Sequence, residues 1–288
     1  MKKILIPVDF SEHTEITCAY ALEIAKKYHA EMMLFHTYFD QIILTETAFP
    51  DSMNMNAVYN EGLIKELHDQ AEAGMKILHA KLDEKLKKEA IGQVTITSHV
   101  VGGDIEMELK LVCEDYHPDM VVMGTRGQGR NMNIWGRVAT YIINHAKVPV
   151  LTVPEMKSFL GFRNIMFAAD LSENNVRSLL KMVEFMKPFI DKIFVVHFVI
   201  GKDDSLKKME DMIQEFIHPD LRERIHFDLA RTGEDSQKAL TDYVSKNGIT
   251  LIAFQPHKRN VFYNLFTKNI TKKNLYSTNI PLLAMPVS

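Results

Sequence analysis

The chain carries an internal repeat, and this repeat constrains the fold more than any other feature of the sequence. Residues 4–12 align with 165–173, and at the same offset of 161 residues His36 matches His197 without a gap. Two later segments recur at offsets of 131 and 132, with 120–123 matching 251–254 and 148–154 matching 280–286. Both copies therefore begin and end alike, which indicates that one module was duplicated.

The repeat predicts two domains, residues 1–154 and 163–288, joined by a linker at 155–163. A length of 288 residues fits two domains of ordinary size. The offset falls by about 30 residues between the start and the end of the repeat, so the first copy is the longer one. We place its extra residues after Thr37 and before a predicted helix that contains residues 63–86.

Short apolar segments alternate with helical patterns along the first copy. Strands that are separated by helices pair in parallel through right-handed crossovers, and strands that are apolar throughout are covered on both faces. Each copy is therefore predicted to be a doubly wound α/β domain with a five-stranded parallel sheet. The predicted strands are 4–8, 32–37, 94–100, 120–123 and 148–153, and the predicted helices are 13–28, 61–89, 104–115 and 133–145.

The composition excludes several classes of protein. With 46% apolar and 25% charged residues and a net charge of −3, the chain has the composition of a soluble globular protein, and we expect no nucleic-acid partner. No apolar run reaches the roughly 18 residues of a membrane span, so no membrane partner is expected. Only two cysteines occur, Cys18 and Cys113, which favours a reducing cytoplasm.

Catalytic and metal-binding patterns are missing from the sequence. The sequence has 12 histidines but no H-E-x-x-H motif and no C-x-x-C motif with a distant histidine, so no metal site is expected. No nucleophile with its base emerges, and Ser11 is explained more simply as the N-cap of the first long helix, with its hydroxyl accepting from free helix amides. Ser172 repeats that position. We therefore predict that the protein is not an enzyme.

Two segments of the first copy suggest a ligand site. Ligands of open parallel sheets bind beyond the carboxyl ends of the strands, and Asp9 directly follows the first strand. The segment 123–130, M-G-T-R-G-Q-G-R, places three glycines directly after a buried strand and before a helix. Such glycines let the backbone approach a ligand closely, and free helix amides favour phosphate. These patterns favour a nucleotide or phosphate site, although glycine-rich turns also serve tight packing alone.

Three motifs resemble the universal stress protein family: K-K-I-L-I-P-V-D-F-S at the start, M-G-T-R-G after the fourth strand, and H-A-K-V-P-V-L-T-V-P at the end of the first copy. The resemblance covers nearly the whole chain, in tandem, and implies a Rossmann-like fold of the adenine nucleotide alpha-hydrolase type. ATP-binding members carry G-x2-G-x9-G followed by Ser or Thr. Here Gly124, Gly127 and Gly136 leave eight residues in the second gap instead of nine, and Arg137 replaces the hydroxyl residue.

The resemblance implies ATP as the ligand of the first copy and assigns its contacts. The residues against adenosine, base and ribose would be Pro7, Asp9, the backbone near Thr37, Met123 and Gly124, and those around the phosphates Gly127, Gly136, Arg137 and Val138, with Arg126 adding positive charge. Arginine lacks the small hydroxyl, but its fixed cation can hold phosphate from further away.

The second copy lacks this equipment and is predicted to be degenerate. Gln255 stands where Gly124 stands in the first copy, and Pro256, which supplies no amide, follows it. Asp170 remains as the counterpart of Asp9, and His36 and His197 are expected to satisfy buried hydrogen bonds.

Three functions stay open. The first is a cytoplasmic, ATP-binding stress-response protein that regulates an unidentified protein partner. The second is an interaction scaffold without nucleotide, in which both copies pair through their last strands, as the family typically dimerises; such a chain can also form a homodimer. The third is an adenylate-type ligase or a slow ATPase.

Overall fold

A computed structural model describes most of the chain. The described residues are 1–38, 61–125, 135–155, 159, 161–169, 172–199, 207, 210–211, 219–231, 236–256 and 280–286. The extra residues of the first copy and the loop that carries Arg126 and Gly127 lie outside this set. Among the described residues, no helix combines the length and the apolar character that a membrane crossing requires.

The first half alternates strands and helices from start to end. Its strands are β1 (Lys3–Pro7), β2 (Glu31–Tyr38), β3 (Thr95–Gly102), β4 (Met120–Gly124) and β5 (Val150–Val153). Its helices are α1 (Glu12–Tyr28), α2 (Glu61–Lys88), α3 (Ile105–Tyr116) and α4 (Trp135–His145). Each element lies within about two residues of its predicted position, because the buried strands are uninterrupted apolar runs that end at polar residues.

The second half repeats this order as far as its fourth strand, and residues 257–279, before its last strand, lie outside the described set. Its strands are β6 (Asn164–Ala169), β7 (Lys192–Val199), β8 (Ile225–Arg231), β9 (Leu251–Phe254) and β10 (Leu282–Ala284). Its helices are α5 (Glu173–Met186), α6 (Pro219–Arg222) and α7 (Ser236–Asn247), and a short 3₁₀ turn, Lys187–Phe189, follows α5.

The ten strands form one continuous sheet in the order β3-β2-β1-β4-β5-β10-β9-β6-β7-β8. All pairs are parallel except β5 with β10, where Leu151 lies opposite Leu283. The expected doubly wound, mostly parallel α/β fold is confirmed. The five strands of each half do not form separate sheets, because β5 and β10, the last strand of each half, pair with each other. The domain boundaries 1–154 and 163–288 therefore stay a prediction.

Apolar residues cover both faces of the sheet. One face packs against α1, α2 and α5 through residues such as Leu22, Leu78 and Leu179. The other packs against α3, α4 and α7 through Leu109, Ile142 and Leu240, among others. Each cluster runs across both halves, so burial of apolar surface stabilises the two halves together.

Aromatic side chains of the predicted linker join the halves. Phe162 is only 2% exposed, and its ring centroid lies 5.6 Å from that of Tyr20 in α1 and 5.4 Å from that of Phe189 beside α5. Phe159 packs edge-on against Tyr20, with the ring centroids 4.7 Å apart. The hydroxyl of Tyr28 in α1 donates to the backbone oxygen of Phe185 in α5. The linker is thus part of the core between α1 and α5.

Candidate functional site

Asp9 lies just beyond the end of β1 and is held by the start of α1. Its Oδ1 accepts from the Ser11 amide at 3.1 Å, the Ser11 hydroxyl at 2.7 Å and the Thr14 hydroxyl at 2.9 Å. The expectation that the Ser11 hydroxyl accepts from helix amides is wrong, because this hydroxyl donates to Asp9 and makes no cap bond. Ser172 does cap its helix, accepting from the Asn175 amide at 3.3 Å.

The other carboxylate oxygen of Asp9, Oδ2, has no hydrogen-bond partner among the described residues. Oδ2 is buried, and no hydrogen-bond donor in the described part of the chain reaches it. A buried carboxylate oxygen without a donor is costly, so its presence calls for a ligand group that donates to it. The three bonds to Oδ1 fix the direction in which Oδ2 can accept.

The turn after Asp9 has an unusual backbone. Phe10 has φ of +59°, the left-handed region, which a bulky residue adopts only when its surroundings impose it. Its ring centroid lies 4.3 Å from that of His36. A Cβ on Gly74 in α2 would approach the Phe10 ring to 3.0 Å, so glycine at that position leaves room for the ring. Contacts from β2 and α2 therefore hold the turn that presents Asp9.

His36 and His197 make equivalent hydrogen bonds in the two halves. Nδ1 of His36 donates to the Val8 oxygen at 2.7 Å, and Nδ1 of His197 donates to the Ala169 oxygen at 2.7 Å. The prediction of a buried hydrogen bond is confirmed for His197, whereas His36 makes the equivalent bond from a half-buried position. Burial lowers the pKa of His36 below its usual 6.5, opposed by the bond to Val8 and by the charge of Asp9. The neutral ring is therefore the form that the fold prefers.

This lowered pKa predicts an acid-sensitive contribution to stability. The unfolded chain takes up a proton on His36 at a higher pH than the folded protein does, so the contribution is complete above pH 6.5 and falls as the pH drops below that value. Urea unfolding at pH 7.5 and 5.5 measures it. We expect the loss of unfolding free energy between these pH values to be smaller in His36→Gln, whose amide can still donate to Val8. An equal loss in both proteins would contradict the assignment.

Gly124, at the end of β4, lies against the first turns of α1. A Cβ there would lie 2.6 Å from Cδ2 of His13 and 3.2 Å from Oγ1 of Thr17. His13 is 7% exposed, and its Nε2 lies 2.8 Å from the Val153 oxygen. Glycine at 124 thus allows α1 to pack closely on β4, a structural need in addition to the ligand role that sequence analysis assigned to it.

Within the part of the chain that the structure describes, only one of the two ring nitrogens of His13 has a hydrogen-bond partner. Because the Val153 oxygen can only accept, Nε2 carries a proton and donates to it. The Thr125 amide donates to the same oxygen at 2.9 Å and lies 3.3 Å from Nε2. Nδ1 is buried with no partner among the described residues. A second unsatisfied polar atom therefore lies in the layer between α1 and the end of β4.

The remaining predicted site residues that the structure describes lie at the carboxyl ends of neighbouring strands or in the first turns of α4. Pro7 ends β1 opposite Phe35, and Thr37 lies near the end of β2, both half-buried. Met123 is buried near the end of β4, and Val138 is partly buried in the first turns of α4. Gly136 and Arg137 belong to the first turn of α4, whose amides have no partner within the helix. Arg126 and Gly127 lie outside the described residues.

The same edge of the second half is filled by its own side chains. Gln255, the counterpart of Gly124, is 2% exposed, and its Oε1 accepts from Nδ2 of Asn175 at 3.5 Å. Asn175 is itself buried and is the counterpart of Thr14, which holds Asp9 in the first half. A buried pair, Gln255 with Asn175, therefore stands in the second half where Gly124 packs against α1 in the first.

The described residues hold no cluster of histidine, cysteine and carboxylate side chains that could bind a metal ion. Cys18 is buried in the core of α1, and burial raises the pKa of its thiol to about 12, so this cysteine packs as an apolar residue.

Three residues of the site had no signal in the sequence. Phe10, His13 and Gly74 act through contacts between elements that are far apart in the chain, such as His13 with Thr125. The positive φ of Phe10 could not be predicted from the type of residue, because aromatic residues rarely adopt such a backbone angle.

Fold and site together define a class: a doubly wound α/β protein in which buried polar atoms at the carboxyl ends of β1 and β4 have no hydrogen-bond partner among the described residues. Within that class, the model of the universal stress protein family matches residues 1–154, and the chain belongs to this family. No curated protein sequence matches this chain.

Two solved structures share the fold over the whole chain, and a third aligns with about half of it. A universal stress protein from Archaeoglobus fulgidus is 17% identical with a TM-score of 0.68, aligned over 99% of this chain and 96% of that chain. A protein of unknown function from Pseudomonas aeruginosa is 11% identical with a TM-score of 0.57, over 100% and 93% of the two chains. A family member from Arabidopsis thaliana with AMP bound aligns over 53% of this chain and 90% of its own, at 18% identity and a TM-score of 0.35.

Proposed function

We propose that the first half binds an adenine nucleotide, ATP in the first place, and that the protein acts as a nucleotide-dependent regulator in the cytoplasmic stress response. The observation that carries the proposal is the buried, unpartnered Oδ2 of Asp9, held in place by the three bonds to Oδ1. Ribose hydroxyls and the adenine amino group are donors of the kind that this oxygen lacks. A buried carboxylate oxygen at a strand end, with no donor among the described residues, fits a bound nucleoside better than it fits packing alone.

The phosphates would lie at the start of α4. Gly136 and Arg137 are in its first turn, where backbone amides have no acceptor within the helix and favour an anion. Arginine there supplies a permanent positive charge in place of the hydroxyl that the family motif provides. Val138, partly buried one residue further on, ties this turn to the core.

The proposal assigns the protein a binding role and no turnover. Among the described residues of the edge, the carboxylate of Asp9 and the imidazoles of His13 and His36 are each already held by bonds within the first half. Bound ATP would alter the surface around α4 that a protein partner reads.

Calorimetric titration of the full chain with ATP tests the proposal. We expect Asp9→Asn to weaken binding by about tenfold or more, because a charged hydrogen bond contributes about 1.5 to 3 kcal/mol. This variant keeps an oxygen acceptor for Ser11 and Thr14, so the turn is preserved. Asp170→Asn, at the matching position of the second half, is the control and should bind ATP like the wild type. Gly127→Glu should abolish binding.

The outcomes separate the candidate functions. No heat from the wild type with ATP, ADP or AMP would remove the proposal. Phosphate release above the buffer rate would instead favour slow ATP hydrolysis. The scaffold function has an observation of its own: β5 and β10 pair within one chain, as a scaffold built from two joined halves requires. If the wild-type protein is stably folded but gives no heat of binding with any of these nucleotides, the scaffold function would be favoured.

A further inference from the structure

A cavity of about 370 Å³ opens at the amino-end edge of the second half, several strands along the sheet from β1 and the proposed nucleotide site. It lies between the starts of β6, β7 and β8 and the end of α7. Its lining consists of Asn164, Lys192, Phe194, His226, Asp228, Lys246 and Asn247. The nucleotide proposal uses none of these residues.

The repeat explains why the cavity exists in this half. Helices α3 and α7 have the same length of 12 residues, so their last residues, Tyr116 and Asn247, are counterparts. In the first half the Nζ of Lys3 donates to the Tyr116 oxygen at 3.0 Å and lies 4.8 Å from the centroid of its ring. In the second half Asn164 replaces Lys3, and its Nδ2 donates to the Asn247 oxygen at 2.9 Å. The bond to the helix end is kept, but two large side chains are replaced by two small ones.

The charge of the cavity has also changed. Lys192 stands where the first half has Glu31, since each lies one residue before a matching strand pair, Met32 with Ile96 and Ile193 with Ile225. Lys192 and Lys246 are exposed, and within the described residues neither is part of an ion pair. Lys246, in the last turn of α7, also offsets the negative end of the helix dipole.

Acceptor and donor groups line the rest of the cavity. Asp228 accepts a hydrogen bond from the hydroxyl of Tyr243. Burial raises the pKa of Tyr243, and the bond to this carboxylate raises it further. The ring of His226 is exposed and lies 5.3 Å from the ring of Phe194, centroid to centroid. Asp228 is thus held in one orientation, in a cavity that two lysines and a histidine also line.

We propose that this cavity binds a small phosphomonoester that carries hydroxyl groups. The ammonium groups of Lys192 and Lys246 take the phosphate dianion, with a ring nitrogen of His226 as a further donor. Asp228 accepts from the ligand's hydroxyl groups. The proposal does not depend on ATP binding in the first half, because the cavity shares no residue with that site.

The test is a calorimetric titration of the full chain with glycerol 3-phosphate, with glycerol and inorganic phosphate as the comparison ligands. Asn164→Lys restores one of the two large side chains that the first half has at these positions and fills part of the cavity without removing any of its charges. We expect wild-type binding to glycerol 3-phosphate, at least tenfold weaker binding by Asn164→Lys, and no measurable binding of glycerol. Gly127→Glu, which targets the nucleotide edge, should bind glycerol 3-phosphate like the wild type.

Lys192→Glu provides a second variant, because it introduces the charge that Glu31 has in the first half. It lies at an exposed position, and we expect it to lose binding at an unchanged melting temperature. No binding of glycerol 3-phosphate by the wild type, or equal binding by Asn164→Lys and Lys192→Glu, would overturn the proposal. Equal affinity for inorganic phosphate and glycerol 3-phosphate would overturn the role of Asp228 toward hydroxyl groups.

Discussion

Replacing Phe162 with alanine is expected to lower the free energy of unfolding by about 3 to 5 kcal/mol, the range for a fully buried phenylalanine. Phe162 is 2% exposed and lies between Tyr20 of the first half and Phe189 of the second. Its loss opens a cavity between α1 and α5, and the aromatic partners on both sides lose contacts. We therefore expect both halves to be destabilised.

Urea unfolding measures this effect, with Trp135 fluorescence reporting on the first half and far-ultraviolet circular dichroism on the whole chain. Both signals should shift to lower urea in Phe162→Ala. Leu229→Ala, at a position that is 38% exposed, is the control and should change the unfolding free energy by less than about 0.5 kcal/mol. A shift in dichroism without one in fluorescence would show that Phe162 serves the second half alone.

Adding one methyl group at Gly124 is the second change with a large expected effect. In Gly124→Ala the new Cβ would lie 2.6 Å from Cδ2 of His13, so the buried ring or α1 has to move. Overpacking of this kind costs about 1 to 3 kcal/mol. A displaced ring would also break the bond from Nε2 to the Val153 oxygen, at 2.8 Å. We expect lower stability and, because α1 carries the residues that hold Asp9, weaker ATP binding.

A double-mutant cycle separates the clash from other effects of the methyl group. His13→Ala alone leaves a cavity, and His13→Ala with Gly124→Ala lets the new methyl group occupy part of it. We expect the double variant to be more stable than the sum of the single effects predicts, by about 1 kcal/mol or more. Additive effects would mean that the ring of His13 moves away freely and does not require glycine at 124.

Most of the fold could be predicted from sequence, because its determinants are local or repeated. The run that forms β1 is apolar throughout, and the repeat supplies its counterpart in β6, so each half supports the interpretation of the other. The bonds of His36 and His197 could be predicted for the same reason. Pairing through the last strand of each copy was expected only for a scaffold, and this pairing, between β5 and β10, makes the sheet continuous.

The details of the site could not be predicted, because they depend on contacts between distant parts of the chain. Asp9 and Ser11 form a local pair, but the sequence equally allows Ser11 to cap α1, and only the backbone of the turn decides between these bonds. His13 meets Gly124 through the packing of α1 on β4. The cavity beside Lys192 arises from volume that two asparagines do not fill, and no motif marks a missing volume.

The antiparallel junction of β5 and β10 decides how the two proposed ligands are arranged. The strands of the second half run opposite to those of the first. The amino ends of the second-half strands and the carboxyl ends of the first-half strands therefore lie along the same edge of the sheet, called the rim here. Six strand spacings separate β1 from β7 in the sheet order, or about 29 Å at roughly 4.8 Å each. A twist of roughly 20 to 25° per strand turns the rim by about 120 to 150° over that span. The two mouths therefore point in different directions, so neither proposed ligand would obstruct the entry or exit of the other.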